Sequence, residues 1–188
     1  MSSRVSRRTF LKSSAILSAA AGLNPYLAGT ERTMADETKS PNARPRVGCI
    51  GLGGMGKGDA HAASRYGDIL ALCDVDRSHV EAAQKDPRIG KGRADVYEDY
   101  RKLLDRNDID VVTISTPDHW HVRIAIAALK AGKDIYCQKP LTLTIDEGKV
   151  LCKVLKQTNR VFQVGTQQRS EDGNKFLKAV AMVQGGRI

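Results

Sequence analysis

Aromatic residues are scarce in this chain of 188 residues, which holds three Phe, one Trp and five Tyr. No basic run is interleaved with them, so the stacking platform that single-strand binders use is missing and nucleic acid is not an expected partner. The formal charge of +9 would argue otherwise if it were evenly spread. Residues 1–46 carry eight Lys/Arg against three Asp/Glu, and residues 47–188 carry 22 against 18, so more than half of the excess belongs to an N-terminal arm. No Cys-x-x-Cys and no Cys/His cluster with metal-ligand spacing occurs, which leaves a metal site without support. No apolar stretch approaches the roughly 20 residues that a membrane span requires. What remains, with 41% apolar and 27% charged residues, is globular composition, and the length suits one domain or one and a half.

The first 29 residues read as an address. Arg4, Arg7 and Arg8 precede an uncharged stretch from Ser13 to Gly29, the layout of a positive n-region followed by a short apolar h-region. Ser6-Arg7-Arg8-Thr9-Phe10-Leu11-Lys12 resembles the twin-arginine export signal at every position of its pattern. The resemblance implies passage through the twin-arginine export machinery and a periplasmic or extracellular location. Thr33-Met34-Ala35 has the small residues of a cleavage site, whereas Tyr26-Leu27-Ala28 puts a bulky ring at the first of the two positions that matter, and the sequence does not place the cut; residues 30–45, polar with two prolines, read as a linker.

The body is expected to span residues 46–170 and to alternate strand and helix. Short, continuously apolar runs at Val47–Ile50, Ile69–Cys73, Val111–Ser115, Ile135–Cys137 and Val161–Val164 predict strands covered on both faces, as in a parallel sheet. Ile124, Ala125, Ala128 and Leu129 repeat at helical spacing and stop at Gly132. Thr144 and Glu147 have capping-box spacing ahead of Val150–Leu155. Such alternation predicts right-handed crossovers and an α/β, doubly wound parallel sheet. Of the four cysteines, Cys49, Cys73 and Cys137 fall in expected strands, where each reads as a small hydrophobe; Cys152 does not.

Directly after the first strand stands Gly51-Leu52-Gly53-Gly54-Met55-Gly56, a G-x-G-x-x-G turn. The pattern calls for a tight turn at Gly51, close backbone approach to a ligand at Gly53, and close helix packing at Gly56. A helix opening there aims free N–H groups at a pyrophosphate, with Gly54 and Met55 in its first turn. Asp74 closes the second strand 23 residues after Gly51, near the offset of about 20 at which an acid meets the adenosine ribose. A carboxylate there accepts from ribose hydroxyls and repels a 2′-phosphate, which favours NAD over NADP. Lys57 and Arg77 lie near enough in sequence to soften that preference.

With these residues in view the chain resembles the Gfo/Idh/MocA (glucose-fructose oxidoreductase / inositol dehydrogenase) family from about Arg46 onward. The matching segments are Ile50–Gly56, Cys73-Asp74-Val75-Asp76, Thr116-Pro117-Asp118-His119-Trp120-His121, Gln138-Lys139-Pro140 and Gly165-Thr166-Gln167-Gln168-Arg169. The resemblance implies a Rossmann domain that binds NAD(P) along the carboxyl ends of its strands, with Thr116, Pro117, Gln138 and Lys139 contributing. It makes Trp120 a wall of the nicotinamide pocket, where the residues alone allow a hydrophobic plug as well. His121 reads equally as a satisfied helix-start histidine or as a cofactor contact. Lys139 takes the place of the family's acid/base lysine, in a motif whose usual Glu is here Gln138; an amide can orient an ammonium but does not act on it as a carboxylate would.

The resemblance further implies a second α/β domain that completes the active site. Residues 171–188 look like its beginning, so the chain is expected to be a fragment, inactive alone, of an exported NAD-dependent oxidoreductase. The substrate class implied is a sugar or an inositol-like polyol, and the full-length protein could form homo-oligomers. Two other functions fit the same residues: an NAD-assisted glycosidase of the same superfamily, and a nucleotide-binding sensor without catalysis.

Overall fold

The computed structural model describes residues 43–166 and 174–187; the export-signal and linker readings, and the Gln167–Arg169 part of the last matching segment, lie outside the described residues. The elements run β1 (Arg46–Ile50), α1 (Gly54–Ser64), β2 (Asp68–Cys73), α2 (Arg77–Lys85), β3 (Asp95–Tyr97), α3 (Tyr100–Leu104), β4 (Val111–Ile114), α4 (Asp118–Lys130), β5 (Asp134–Gln138), α5 (Ile145–Thr158), β6 (Phe162–Gly165) and α6 (Lys175–Gln184).

The six strands form one sheet in the order β3-β2-β1-β4-β5-β6, and every neighbouring pair is parallel. The chain leaves β1 toward one edge, returns after β3 to the other side of β1, and continues to β6. The order therefore reverses between β1 and β4, and the crevice above that point is where open α/β sheets bind ligands.

Because successive strand residues point to opposite faces, the core divides in two. Cys49 and Leu72 pack with Ala60 of α1 and with Val80 and Ala83 of α2. Their neighbours Ile50, Ala71 and Cys73 turn the other way, to Leu103 and Leu104 of α3, Ile124, Ala125 and Leu129 of α4, and Leu151 of α5. Burial on both faces explains why β1, β2, β4 and β5 were legible as continuous apolar runs. β3 was not. Its Asp95-Val96-Tyr97 is an edge segment with Val96 exposed, and it carries no such run.

Local chemistry fixes the ends of the elements. Thr144 and Glu147 form the anticipated capping box, with the Glu147 carboxylate accepting from the Thr144 N–H at 3.0 Å and the Thr144 hydroxyl accepting from the Glu147 N–H at 3.3 Å. α4 begins at Asp118 directly after Pro117, as the strand-breaking proline implied, and stops at Gly132, whose φ of +72° is the left-handed conformation that suits glycine. The Arg46 guanidinium donates to both oxygens of Asp110 and ties the start of β1 to the start of β4. All four cysteines are free, with Cys49, Cys73 and Cys137 buried and Cys152 exposed.

Candidate functional site

The site begins with the glycine turn between β1 and α1. Gly51 has φ +85°, and a Cβ on it would lie 2.6–2.7 Å from the backbone of Ser115 and Thr116 at the end of β4. A Cβ on Gly56 would lie 2.0 Å from the Gly51 carbonyl oxygen. The fold itself thus demands glycine at both positions. At Gly53 the nearest atom to a Cβ is His79 at 3.4 Å, an ordinary contact, and at Gly54 nothing lies within 4 Å. Packing within the fold makes no such demand at those two positions, which border open space. Gly53 is the N-cap of α1 and no side chain caps the helix, so its first N–H groups face outward unpartnered by the helix.

Asp74 leaves the end of β2 and returns to that turn. One carboxylate oxygen accepts the Leu52 N–H at 2.6 Å and the other accepts the Asp76 N–H at 2.9 Å. His79 of α2 stands 3.6 Å from the first of these oxygens. Asp76 caps α2 by accepting from the Ser78 N–H and hydroxyl, and these bonds hold its carboxyl below the usual range. Lys57 and Arg77, the cations that softened the preference against a 2′-phosphate, are directed elsewhere. Arg77 donates to Glu81 at 2.8 Å, and Lys57 lies 3.9 Å from Asp86.

One cavity of about 590 Å³ opens along this edge. Its walls include Gly51, Gly53, Gly54 and Met55 from the turn, Asp74 and His79 from the second crossover, Thr116 and Pro117 from the end of β4, and Trp120 from α4. The Thr116 hydroxyl is buried and without a hydrogen-bond partner. A buried polar atom left unpaired is costly, and on a cavity wall it is the kind of group a ligand satisfies. Trp120 is a wall rather than a plug: it is 37% exposed, with the Arg123 guanidinium 5.3 Å above its ring.

The remaining expected residues surround this cavity rather than line it. Gly56 is buried beneath the turn. His121 is 1% exposed, its Nδ1 2.7 Å from the Pro140 carbonyl oxygen and its Nε2 2.8 Å from the Thr116 carbonyl oxygen. That geometry selects the satisfied helix-start histidine over the direct contact. It also brings the Lys139-Pro140 segment beside Thr116. Gln138 is buried at the end of β5, and Lys139 follows it exposed.

No motif or spacing marks Asp59. It sits on α1, where its carboxylate accepts from both Gln138 Nε2 (2.9 and 3.1 Å) and the Ser115 hydroxyl (2.7 Å). Nor was the segment Glu98–Arg101, which follows β3 and helps to wall the cavity, marked by any spacing. Among the described residues no group of three or more His, Cys, Asp or Glu side chains is arranged to hold a metal ion.

Residues 45–166 match the model of a family described as an oxidoreductase family with an NAD-binding Rossmann fold. The chain is 33% identical over 167 residues to a glycosyl hydrolase family 109 protein of Solibacter usitatus, covering 84% of this chain and 38% of that protein. It is 29% identical over 140 residues to an inositol 2-dehydrogenase of Klebsiella pneumoniae, covering 72% and 40% respectively. The structure is similar, with a TM-score of 0.65 and 28% identity, to scyllo-inositol dehydrogenase from Lactobacillus casei with bound NAD(H) and scyllo-inositol, over 77% of this chain and 42% of that one. The chain spans about two fifths of the length of these relatives.

Proposed function

The chain belongs to the Gfo/Idh/MocA family of NAD-binding oxidoreductases, and from that premise we propose that it forms the dinucleotide-binding half of an exported enzyme that transfers hydride between a sugar or polyol hydroxyl and NAD. The observation that carries this reading is the convergence of the Gly51 turn, the Asp74 carboxylate and the unpaired Thr116 hydroxyl on one cavity at the switch point of the sheet.

The residues present fit the dinucleotide. The uncapped start of α1 offers N–H groups to a diphosphate, and Gly53 and Gly54 leave room for it to approach. Asp74 keeps lone pairs free beyond its two backbone bonds and accepts from the adenosine ribose hydroxyls, where it disfavours a 2′-phosphate. Thr116 and Pro117 border the nicotinamide end, Trp120 limits it, and Thr116 Oγ1 donates to the ligand there. Bound NAD supplies the hydride acceptor. Lys139, at the exposed end of β5, takes the hydroxyl proton as the alcohol is oxidised and returns it in reduction. Gln138 holds the backbone of that lysine through its amide oxygen at 3.0 Å.

Calorimetric titration tests the reading. NAD+ is expected to bind the 188-residue chain, and NADP+ more weakly; absence of heat with either would remove its foundation. The export proposal rests on Ser6–Lys12. Fused to a reporter that is active only when exported, residues 1–45 should deliver it in cells with intact twin-arginine machinery and fail when Arg7 and Arg8 are both changed to Lys.

The 33% identity to the glycosyl hydrolase family 109 protein favours a second reading. In it, oxidation at one sugar carbon is transient and assists glycosidic bond cleavage. Net NADH formation with a free polyol supports the dehydrogenase, and aglycone release without net NADH supports the glycosidase.

A further inference from the structure

The end of β5 presents an apparent defect. A carboxylate beside Lys139 would help to orient an ammonium, yet position 138 carries an amide. An acid on another element holds that amide from behind. Asp59, one and a half turns into α1, receives three hydrogen bonds: two from the Gln138 amide nitrogen, at 2.9 and 3.1 Å, and one from the Ser115 hydroxyl, at 2.7 Å. The other end of the same amide, Gln138 Oε1, accepts the backbone N–H of Lys139 at 3.0 Å. Gln138 is 4% exposed, so each end of its amide needs a partner and each has one.

The direction of these bonds decides which residue can stand at 138. The amide donates toward Asp59 and accepts from Lys139. A glutamate there could accept from Lys139 but could not donate to Asp59, and two carboxylates would then lie about 3 Å apart in a largely desolvated space, an arrangement strongly disfavoured unless one is protonated. The acid and the amide have therefore to be on opposite sides, and in this chain the acid is on α1.

We propose that Asp59 is the positioning residue for Lys139. It acts through Gln138 and Ser115, so that the helix whose start faces the diphosphate also fixes the proton-transfer end of the site. A continuous path follows: α1, the Asp59 carboxylate, the Gln138 amide, the Lys139 backbone. Ser115 brings the end of β4 into the same network, one residue before Thr116. This inference rests on the reading of the cavity as a dinucleotide site with its nicotinamide end near Thr116 and Lys139.

The test uses the full chain and two ligands. NAD+ reaches both ends of the site, whereas ADP occupies only the adenosine and diphosphate end. Dissociation constants are measured at pH 6 and pH 8 for the wild type and for Gln138→Glu, Asp59→Asn and the double variant Asp59→Asn/Gln138→Glu. Gln138→Glu should weaken NAD+ by about fivefold to tenfold at pH 8, the range of a lost coupling between contacting groups. The loss should be smaller at pH 6, and ADP should change by less than about twofold. In the double variant an Asn amide donates to a Glu carboxylate, so the network is restored with its polarity reversed, and NAD+ affinity should return to near wild type.

Additive single effects in the double variant, or parallel losses for NAD+ and ADP, would overturn the proposal, the second outcome because it marks general support of the fold. A wild-type chain that binds ADP and NAD+ while the variants show this failure leaves the dinucleotide reading intact. A wild-type chain that binds neither ligand overturns both.

Discussion

The Leu52 N–H donates to the Asp74 carboxylate across a distance of 2.6 Å, so the acid that would grip the ribose also closes the glycine turn. The same side chain takes the Asp76 N–H with its second oxygen, and it is only 11% exposed. Asp74 thus has a structural task that does not depend on the ligand. Its replacement should cost stability as well as specificity. Asp74→Ala leaves two backbone donors without their acceptor and is expected to lower unfolding stability by about 1–3 kcal/mol, the usual cost of a buried unsatisfied group. Asp74→Asn retains an acceptor oxygen for one of the donors and should lose less, yet it should still narrow the gap between NAD+ and NADP+. Urea unfolding and paired titrations with the two dinucleotides measure both effects; a stable Asp74→Ala variant would show that the link to Leu52 contributes nothing.

The cysteines give a second prediction. Burial pushes Cys49, Cys73 and Cys137 each up to about 12. A thiol at that value is ionised to about one part in ten thousand at pH 8, and its access is blocked as well. Cys152 on α5 is exposed. Under native conditions a thiol reagent should titrate one cysteine rapidly, and four after denaturation. The Cys152→Ser variant should show no fast phase at all.

These results separate what the sequence made legible from what it did not. The glycine turn, Asp74, the Thr116-Pro117 break and the Thr144 capping box depend on residues close in sequence, and each occupies the place its chemistry required. The strands with two buried faces announced themselves by apolarity. β3 did not, because an edge strand of three residues buries too little to leave a pattern. Asp59 was invisible for a different reason: its partners Gln138 and Ser115 are 79 and 56 residues away. Nothing in a helix segment of Gly, Lys and Ala marks one acid as facing the sheet. Gly53 was expected to let the backbone come close to a ligand; the fold leaves a Cβ ordinary room there, so packing within the protein does not itself require glycine at that position.

Acid should act through Asp86 at the end of α2. The Arg88 guanidinium donates to both of its oxygens, and the Arg88 N–H adds a third bond. These contacts, with Lys57 3.9 Å away, hold the Asp86 carboxyl at about 2. A folded-state value below the unfolded one of about 3.9 means that the contribution is complete above the unfolded value and is lost as the pH falls through about 2. Asp86→Asn should therefore lower stability by a constant amount at and above pH 5, with the two proteins converging as the pH approaches 2. Thermal or urea midpoints across that range check the sign; a gap that widens in acid would contradict it.

His121 supplies the last prediction. Its ring spans the Thr116 and Pro140 carbonyl oxygens at 2.8 and 2.7 Å and is almost wholly enclosed. Both partners are carbonyl oxygens and can only accept, so a ring carrying one N–H donates to one of them, and a ring protonated on both nitrogens donates to both and bridges the ends of β4 and β5. His121→Ala removes that bridge and leaves a cavity in the first turn of α4. The loss of a buried hydrogen-bonding group and of packing together should amount to on the order of 2–5 kcal/mol. A bridge between strand ends should also matter to the site, since Thr116 and the Lys139-Pro140 segment are what it holds. NAD+ affinity is expected to fall in His121→Ala while ADP affinity, read on the fraction that remains folded, changes little. His121→Gln, which can reach one carbonyl with its amide N–H groups, should recover part of the stability and less of the NAD+ affinity, because only one of the two strand ends is then held. Equal loss of both ligands in both variants would mean that the histidine serves the core of the domain and not the relation between its strand ends.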